Sequence, residues 1–557
     1  MTQDSPGVRT WQPRRFRAPR AHGERLIAPG FAQIIAATAR NRQALRESQA
    51  TIAGMRLAQF RQEARKELLG LAESWTAEIF GQSVGSPDPE APLLTGGHQP
   101  ELFHTGVWLK NFAVHQLGQR AGGTGLNLIV DNDQMPATSI AVPAGSLHAP
   151  HFARLPFDAD QPLLPWEDAI VGDPELLKTF GDRAGQAMSA WGIEPLLTAD
   201  WPGALAQSQQ GRAKRLDEIF AGLRIRRERA WGARNLELPL SQLCESLAFR
   251  RFAVTAVRRA GPWRAAYNSV LHEYRRINRI RSRSHPVPDL AEEDDWIEAP
   301  FWIWKTGAVR RERLFVRQRR DQLELRLRDE IVDAWSLAGD PHGEKAAEAL
   351  GAWSGRGLKL RTRALTTTLF ARLCLADLFV HGIGGAKYDE MTDQLFGELL
   401  GAPTPELAVV TGTLHLPLGA ERRPIDAGKL KQALRDCVQN PERHLHAPAN
   451  EVAGELLQEK RLLIEQQQAA ERGAAPQGRS LLAGRQRLRR FREIKAALSG
   501  LTDDDRERLE RELVAAGQRS VAERVLFSRE YSSWLFPAEM LADFFLRPLA
   551  DEPSAGQ

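Results

Sequence analysis

The segment spanning residues 93–133 restricts the fold of this 557-residue chain more than any other part of it. It begins with a short apolar run ending at Thr95, passes through Gly96 and Gly97 into an amphipathic stretch, and ends in a second apolar run at 126–130. Short apolar runs on either side of a helical pattern are typical of parallel strands joined by a crossover helix. The segment therefore predicts a βαβ unit and, with it, an α/β fold.

The helix of this unit has recognisable ends. Thr105 is the predicted N-cap, Gly106 opens the first turn, and Gly122 with Gly123 stops the helix. One apolar face repeats at helical spacing and consists of Leu109, Phe112, Ala113 and Leu117.

Polar residues gather after both predicted strands. The first group is His98, Gln99, His104 and Lys110, and the second is Asp131, Asn132 and Asp133. Because ligands of open α/β sheets bind at the carboxyl ends of the strands, we expect the two groups to meet at one edge of the sheet. The alternative is a pair of solvated turns, since Asp and Asn are common turn residues.

These motifs resemble the bacillithiol biosynthesis cysteine-adding enzyme family. That family carries Thr-Gly-Gln-Gln at a strand end, then Thr-Gly opening a helix with a lysine shortly after, then a strand ending in Glu-Asp-His-Asp. The matching residues here are Thr95, Gly96, His98, Gln99, Thr105, Gly106, Lys110, Asp131, Asn132 and Asp133. The chain departs from the pattern by an extra glycine, by His98 in place of glutamine, and by Val-Asp-Asn-Asp in the last motif.

A second glycine-rich segment lies near the middle of the chain. Asp377-Leu-Phe-Val-His-Gly-Ile-Gly-Gly-Ala-Lys-Tyr-Asp-Glu reads as strand, glycine loop and helix, an arrangement that suits an anion. It lacks the Gly-Lys-Ser/Thr ending of a Walker A loop. It resembles the glycine loop of the same family at Gly384, Gly385 and Tyr388, and Lys387 adds a positive charge. The alternative is a tight structural turn.

The resemblance implies an α/β fold with a Rossmann-like parallel-sheet core, similar to that of class I aminoacyl-tRNA synthetases. Helical and small β insertions interrupt this core, and a C-terminal α-helical coiled coil follows it. The implied activity is ligase-like, joining a small amino acid, with cysteine as the candidate, to an anionic acceptor of the amino-sugar type. The expected catalytic residues are His98, Lys110, Asp131, Asp133 and His381, and the general base among them is left open. The expected substrate- or nucleotide-binding residues are Gly96, Gln99, His104, Thr105, Gly106, Asn111, Asn132, Gly384, Gly385, Lys387 and Tyr388.

Composition shifts divide the rest of the chain. Alternating patterns at 298–304, 313–317 and 322–328 predict an antiparallel meander, and the aromatic segment 530–537 is predicted to dock onto the body. The predicted divisions are 1–30, a flexible basic arm; 31–140, a helix and the first half of the core; 141–357, inserted helical and antiparallel-strand regions; 358–448, the second half of the core; 449–530, a helical hairpin or coiled coil; and 531–557, a docking segment and tail.

Bulk composition narrows the class of protein. The formal charge of +5 is only mildly basic, so a dedicated nucleic-acid binder is not expected. The three cysteines form no CxxC pattern. The sequence also contains no run of about 18 apolar residues, so a membrane span is not expected. With no apolar signal core at its start, the chain is expected to be cytoplasmic.

Three functions remain open at this point. The first is the ligase-like enzyme, acting on an anionic small molecule as a homodimer assembled through the C-terminal helices. The second is a nucleotidyl-transfer enzyme, and the third is a non-enzymatic coiled-coil scaffold. The cofactor is left open, with ATP or ADP as the candidate nucleotide. A metal site built from His98, His104 and Asp131 is a weaker idea, because their spacing matches no standard motif.

Overall fold

The computed structural model describes residues 11, 13–82, 85–160, 162–209, 215–420, 427–443, 445, 451–471 and 481–549. The residues outside these ranges include 1–10 and 12 of the predicted basic arm, 472–480 between the predicted C-terminal helices, and 550–557 of the predicted tail.

The strands are β1 Arg25–Ala28, β2 Thr51–Ile52, β3 Met55–Arg56, β4 Leu93–His98, β5 Thr124–Ile129, β6 Ser139–Gly145, β7 Pro150–Pro156, β8 Leu236–Pro239, β9 Glu292–Glu293, β10 Trp296–Lys305, β11 Glu312–Arg319, β12 Gln322–Leu327, β13 Glu330–Ser336, β14 Leu358–Thr362, β15 Leu378–His381 and β16 Leu407–Gly412. The helices are α1 Phe31–Glu47, α2 Leu57–Phe80, α3 Thr105–Arg120, α4 Pro174–Lys178, α5 Phe180–Ser189, α6 Leu196–Gln209, α7 Leu216–Ala230, α8 Leu240–Leu243, α9 Leu247–Arg258, α10 Ala260–Ile277, α11 Glu344–Gly351, α12 Ala364–Phe370, α13 Ile383–Leu400, α14 Ala427–Gln439, α15 Glu451–Glu471, α16 Leu481–Gly500, α17 Asp503–Leu526 and α18 Ala538–Phe545.

The main sheet joins six of the described strands in the order β1-β16-β15-β4-β5-β8. Neighbouring strands are parallel from β16 to β8, and β1 pairs antiparallel with β16. The chain runs outward through β4, β5 and β8, then returns to the other side of β4 for β15 and β16. The predicted βαβ unit is thus confirmed as β4, α3 and β5, and the fold is α/β with a mostly parallel sheet.

Two strands of this sheet correct the predicted divisions. β8 lies inside 141–357, the stretch predicted to hold inserted helices and antiparallel strands, yet it pairs parallel with β5. A run of only four buried residues carries no periodic signal that would predict this strand. β1 belongs to the arm predicted to be flexible, and Arg14 of the same arm forms an ion pair of 2.6 Å with Asp393. The N-terminal segment therefore completes the edge of the sheet.

The second sheet is antiparallel and follows the order β13-β12-β11-β10-β14, with β9 pairing β10. Its β10, β11 and β12 confirm the predicted meander. β14 lies in 358–448, which the sequence predicts to be the second half of the parallel core, but Trp302 and Ile303 of β10 pair with its Arg361 and Leu360. The sequence of a short apolar strand does not indicate which sheet it joins, so its sheet is known only from the strand with which it pairs in the structure.

A buried ion cluster fixes the start of β15 beside β4. Asp377 is fully buried and accepts hydrogen bonds from Arg61 Nη2 at 2.8 Å and Arg65 Nη2 at 3.1 Å, both on α2. Its second carboxylate oxygen also accepts from the backbone N–H of Leu93 at 2.9 Å. The two central strands are thereby aligned at their amino ends, which sets their relative position at the carboxyl ends.

The predicted docking of the aromatic C-terminal segment is confirmed. Trp534 lies with its ring centroid 4.9 Å from that of Trp108 on α3, and Phe545 stacks on Phe112 at 4.8 Å. Ser533 donates from its backbone N–H to Phe103 O at 2.9 Å. The end of the chain therefore covers the face of α3 that the sheet leaves open.

The chain divides into two compact units. One contains residues 1–144, 152–417 and 529–557, and the other contains 145–151 and 418–528. In the second unit, α15 and α16 pack together with Arg490 and Glu459 in a 2.7 Å ion pair, and α17 packs on α14. The long segment of the second unit begins at 418 rather than at the predicted 449, because α14 packs on α17.

Candidate functional site

The parallel sheet has a switch point between β4 and β15. The chain leaves these neighbouring strands in opposite directions, so a crevice opens beyond their carboxyl ends. The segments after both strands lie at one edge of the sheet, as the sequence predicts. We call this place the β4–β15 mouth and define it by His98, His104, Lys110, His381 and Gly382.

Lys110 lies at the centre of the mouth. It is 6% exposed, and its Nζ donates a 3.1 Å hydrogen bond to Gly97 O at the end of β4. Its Cδ is 4.0 Å from the point where a Cβ on Gly382 would stand, so the side chain also reaches the start of α13. Burial lowers the pKa of Lys110 to about 8. At neutral pH the ammonium is still largely charged.

His98 and His104 flank this ammonium. The ring of His98 packs edge-on against Phe103 with a centroid distance of 4.0 Å. His104 is the N-cap of α3, because its Nδ1 accepts from the backbone N–H of Gly106 at 3.1 Å, which corrects the prediction that Thr105 caps this helix. Burial lowers the pKa of His98 well below its usual range, and burial lowers the pKa of His104 to about 4. Both imidazoles are therefore neutral at pH 7.

His381 joins the mouth from β15. Its Nε2 lies 2.9 Å from Asp389 Oδ2, and Asp389 forms a second buried ion pair with Arg372. Burial lowers the pKa of His381, while Asp389 opposes that shift. The Arg372 guanidinium and His381 hold the pKa of Asp389 far below its usual range despite burial. This arrangement fixes the orientation of the His381 ring.

Arg529 is a residue of this edge that sequence reasoning missed. Its Nη2 donates to Thr411 Oγ1 at 3.1 Å and to Gly412 O at 3.3 Å, at the carboxyl end of β16. The same Nη2 lies 2.6 Å from the position of a Cβ on Gly106, which explains why a glycine opens α3. The C-terminal segment delivers this cation from far along the chain, and no local pattern marks it.

The second polar group only partly reaches the first. Gln99 Nε2 donates to Asp133 Oδ2 at 2.8 Å, so these two predicted site residues do meet. Asp133 also forms a 2.8 Å ion pair with Arg311. The structure does not bring Asp131 and Asn132 to the mouth, because both side chains are buried and hydrogen-bonded to residues outside it.

Asp131 and Asn132 take structural partners instead. Asp131 Oδ1 accepts from the backbone N–H of Ser241 at 2.9 Å, and its Oδ2 accepts from the Ser241 hydroxyl. Asn132 Nδ2 donates to Thr362 O at 2.9 Å, at the end of β14. The side chains that follow β5 thus tie the main sheet to its neighbours rather than facing a ligand together.

Two other predicted binding residues, Gly96 and Asn111, also have packing roles, and Gly97 beside Gly96 has one too. Gly96 and Gly97 lie inside β4 rather than in a loop. A Cβ on Gly96 would stand 3.1 Å from Val114 of α3, and one on Gly97 would stand 3.0 Å from Leu128 O, so close packing explains both glycines. Asn111 is buried and donates to Glu228 Oε1 at 2.7 Å, which places it behind α3 rather than at the mouth.

The second glycine segment is mostly helix. α13 begins directly after Gly382, and no side chain caps it. Gly384 and Gly385 form its exposed first turn, while Lys387 and Tyr388 lie exposed on the following turn. The predicted glycine loop is therefore shorter than expected, and its backbone amides belong to an uncapped helix start beside Lys110.

The described residues also show how the candidate metal ligands and the three cysteines are arranged. Across the described residues, no group of three or more His, Cys, Asp or Glu side chains could hold a metal ion. His98 and His104 meet at the mouth, whereas Asp131 turns away from it. Cys244, Cys374 and Cys437 are buried, and burial raises the pKa of each thiol, so none is placed as a nucleophile.

A cavity of about 520 Å³ lies at the opposite edge of the sheet from the mouth. It is lined by α1 together with Pro92, which precedes β4, and Ala121, which follows α3. Neither residue belongs to the mouth, so this cavity carries none of the predicted chemistry.

None of the helices formed by the described residues is long and apolar enough to cross a membrane.

Searches against models of known protein families and against curated proteins produce no match, so the chemistry of this chain has to be argued from its own residues.

Proposed function

We propose that this protein is a ligase-like enzyme that joins a small amino acid to an anionic acceptor, and that the β4–β15 mouth binds the anionic group. The motifs that carry the resemblance to the cysteine-adding family include Thr95 with Gly96, Thr105 with Gly106 and Lys110, and the glycine segment at Gly384, Gly385 and Tyr388, and cysteine is the candidate amino acid. The order of the five parallel strands supports the finer inference of a Rossmann-like core.

One observation carries the proposal. The buried ammonium of Lys110 donates to a single acceptor, Gly97 O, among the residues that the structure describes. An ammonium has three donors, and a buried cation with unused donors is costly unless it is paired. An anion at the mouth would accept those donors. It would also lie near the uncapped first turn of α13, whose N-terminus carries roughly half a positive charge.

The neighbouring residues suit a condensation. His98 and His104 are both neutral at pH 7 because burial lowers the pKa of each. His104 already accepts the Gly106 N–H through Nδ1, whereas His98 Nδ1 lies against Gln99 O, so His98 Nε2 is the nitrogen that can accept the proton that an attacking amine must lose. Forming an amide from a carboxylate and an amine also requires activation of the carboxylate. A bound nucleotide such as ATP would supply that activation, with Lys110 and the start of α13 holding its phosphates.

The first test measures nucleotide binding to the full chain. We expect Lys110→Met to weaken ATP and ADP binding by about 10- to 100-fold, the effect of losing a hydrogen bond to a charged group worth roughly 1.5–3 kcal/mol. Wild-type affinity should also fall from pH 7 to pH 9, since Lys110 has a pKa of about 8 and loses its charge in that interval. The three histidines of the mouth do not change charge there, because burial lowers their pKa values.

The matched control is Lys345→Met, which removes an exposed lysine of α11. It should leave nucleotide affinity unchanged, and the melting temperature of Lys110→Met should stay close to that of the wild type because methionine suits a buried site. Equal affinities of the two variants would remove the mouth from the proposal.

The second readout identifies the product. Metabolites of cells with and without the gene are compared, with attention to low-molecular-weight thiols, and an amide of cysteine that disappears with the gene supports the ligase. Release of pyrophosphate without an amide product would favour the nucleotidyl-transfer alternative. Wild-type metabolite profiles in both strains would argue against an enzyme of small-molecule thiols.

A further inference from the structure

A second cavity opens at the same carboxyl edge of the sheet, beyond the ends of β5 and β8. Its volume is about 570 Å³, which is within the usual range for small-molecule sites. It is lined by Glu67, Leu71, Glu167, Arg215, Ser241, Gln242, Glu245, Ser246, Ser354, Lys359 and Arg361. We call it the acid-rich cavity. None of the residues predicted for the functional site lines it.

The cations of this cavity are already held by carboxylates. Arg361 donates to both oxygens of Glu167 at 2.9 and 3.0 Å and to Glu245 Oε1 at 2.7 Å. Lys359 contacts Asp168 at 2.6 Å and Glu167 at 3.0 Å. These basic groups therefore have little capacity left for an anionic ligand.

Arg215 is engaged in the same way, by Asp217 at 3.0 Å and by Glu218 at 3.0 Å. The cavity and the groups bonded to its lining thus hold seven carboxyl groups against three cations. The carboxyl groups are those of Glu67, Asp131, Glu167, Asp168, Asp217, Glu218 and Glu245. Fully ionised, they leave a formal excess of four negative charges.

Protonation follows that excess. Burial, and then the nearby Glu167 and Asp217, raise the pKa of Asp131 to about 7. Burial also raises the pKa of Asp217 to about 6, even though Arg215 opposes the shift. Burial accounts for most of each shift, but the part that comes from neighbouring carboxyl groups reflects the same excess of negative charge beside the cavity.

Two carboxylates retain capacity for such a charge. Glu245 is 37% exposed and contacts one cation among the described residues, Arg361. Glu67 accepts the backbone N–H groups of Leu247 and Ala248 at the start of α9, at 2.7 and 2.9 Å, and lines the cavity as well. Because a carboxylate offers about four acceptor sites, both can still receive N–H donors.

We propose that the acid-rich cavity binds a small primary ammonium compound that also carries hydroxyl groups. The ammonium donates to Glu245 and Glu67, and the hydroxyl groups suit the uncharged Gln242 and Ser354 of the lining. A bare metal ion fits less well, because no cluster of three or more His, Cys, Asp or Glu side chains within the described ranges could hold one. The inference is independent of the proposed ligase activity.

The two sites are separate. β8 lies two strands beyond β4 in the sheet order, and neighbouring strands are about 4.8 Å apart, so roughly 10 Å of sheet edge lies between them. The mouth presents cationic Lys110, whereas the acid-rich cavity presents excess carboxylate. Molecules of opposite charge would therefore bind at two places along one edge of the sheet, one at its centre and one beyond β5 and β8.

The test titrates the full chain with ethanolamine by calorimetry and ligand-observed NMR. Two comparison probes separate the contributions: ethylene glycol has the hydroxyl but no charge, and tetramethylammonium has the charge but no N–H donor. We expect binding of ethanolamine only. Glu245→Gln keeps the acceptor for Arg361 but removes a charge, and should weaken ethanolamine binding at least tenfold.

A second variant leaves every charge in place. Ser354→Trp adds bulk at an exposed position of the lining and should block the cavity. Glu348→Gln, at an exposed position of α11 outside the lining, is the matched control and should bind as the wild type does. Loss of binding in both cavity variants, with a normal control, supports the proposal. Unchanged affinity in either cavity variant, an equal loss in the control, or equal binding of ethylene glycol would overturn it.

Discussion

Asp131 shows how burial can set the protonation of one carboxyl group. Its side chain is completely buried beside Ser241, and the charged groups near it are the carboxyl groups of Glu167 and Asp217 and the guanidinium of Arg215. The pKa of Asp131 is raised from 3.8 to about 7, first by burial and then by Glu167 and Asp217. The folded protein therefore keeps a proton at a pH where the unfolded chain has lost it.

This pKa shift predicts how stability depends on pH. Between about pH 4 and pH 7 the folded state binds more protons at Asp131 than the unfolded state, so the free energy of unfolding falls as pH rises. Asp131→Asn cannot titrate and retains an acceptor for the Ser241 N–H. Between pH 5 and pH 8 we therefore expect the stability difference to shift toward the variant, by at most about 3 kcal/mol.

Urea denaturation of both proteins at pH 5 and pH 8 measures this shift. Asp217, whose pKa is also raised, is present in both proteins, so its own titration largely cancels in the comparison. Parallel pH dependence of the two proteins would show that Asp131 is already ionised in the folded state.

At the scale of an element, the first turn of α13 contains two glycines with different surroundings. A Cβ on Gly384 would meet nothing within 4 Å, whereas a Cβ on Gly385 would stand 2.7 Å from His381 Nδ1. His381 is held by its hydrogen bond to Asp389 and cannot move freely. A substitution at Gly384 therefore tests helix propensity alone, whereas the same substitution at Gly385 also tests the contact between α13 and His381.

We expect opposite results from two alanine substitutions. Gly384→Ala should stabilise the protein by roughly 0.5–1 kcal/mol, because alanine loses less backbone entropy in a helix. Gly385→Ala should lower the melting temperature and alter the His381 imidazole resonances in NMR, because its methyl group displaces that ring. Equal melting temperatures of the two variants would mean that α13 shifts to accommodate the methyl group without strain.

At the scale of the whole molecule, the unit containing 418–528 exposes large apolar side chains. They include Val452, Leu462, Ile464, Leu488, Leu501, Val514 and Val521. Exposed apolar residues spread over consecutive helices favour association with a second copy. The homodimer and the coiled coil inferred from the sequence stay predictions. These exposed side chains are the surface on which the dimer can be tested.

The doubly charged variant Leu462→Glu/Val521→Glu should convert a dimer into a monomer, because carboxylates in an apolar interface lose hydration. Light scattering after size-exclusion chromatography measures the molar mass, and Ile331→Glu, at an exposed apolar position of β13, is the control. An unchanged mass in the double variant would locate any dimer contact elsewhere. Removing all residues after 448 is a poorer test, since Trp534 packs against Trp108 of α3.

Local pattern determined the parts of this protein that depend on neighbours in sequence. The βαβ unit, the meander and the C-terminal helices follow from apolar periodicity and glycine breaks within short windows. The meeting of the segments after β4 and β15 also follows, because parallel strands that adjoin must end at the same edge. The presence of His98, Lys110 and His381 at that edge was therefore readable from the sequence.

Only the tertiary structure decided which partner each polar side chain takes. Asp131 and Asp133 are separated by one residue, yet one is buried against Ser241 and the other meets Gln99. Arg529 reaches Thr411 across 118 positions of sequence, and β14 leaves the core for the antiparallel sheet. Such partners come together only after folding, because burial and hydrogen-bond pairing are set by contacts between distant segments that no local pattern records.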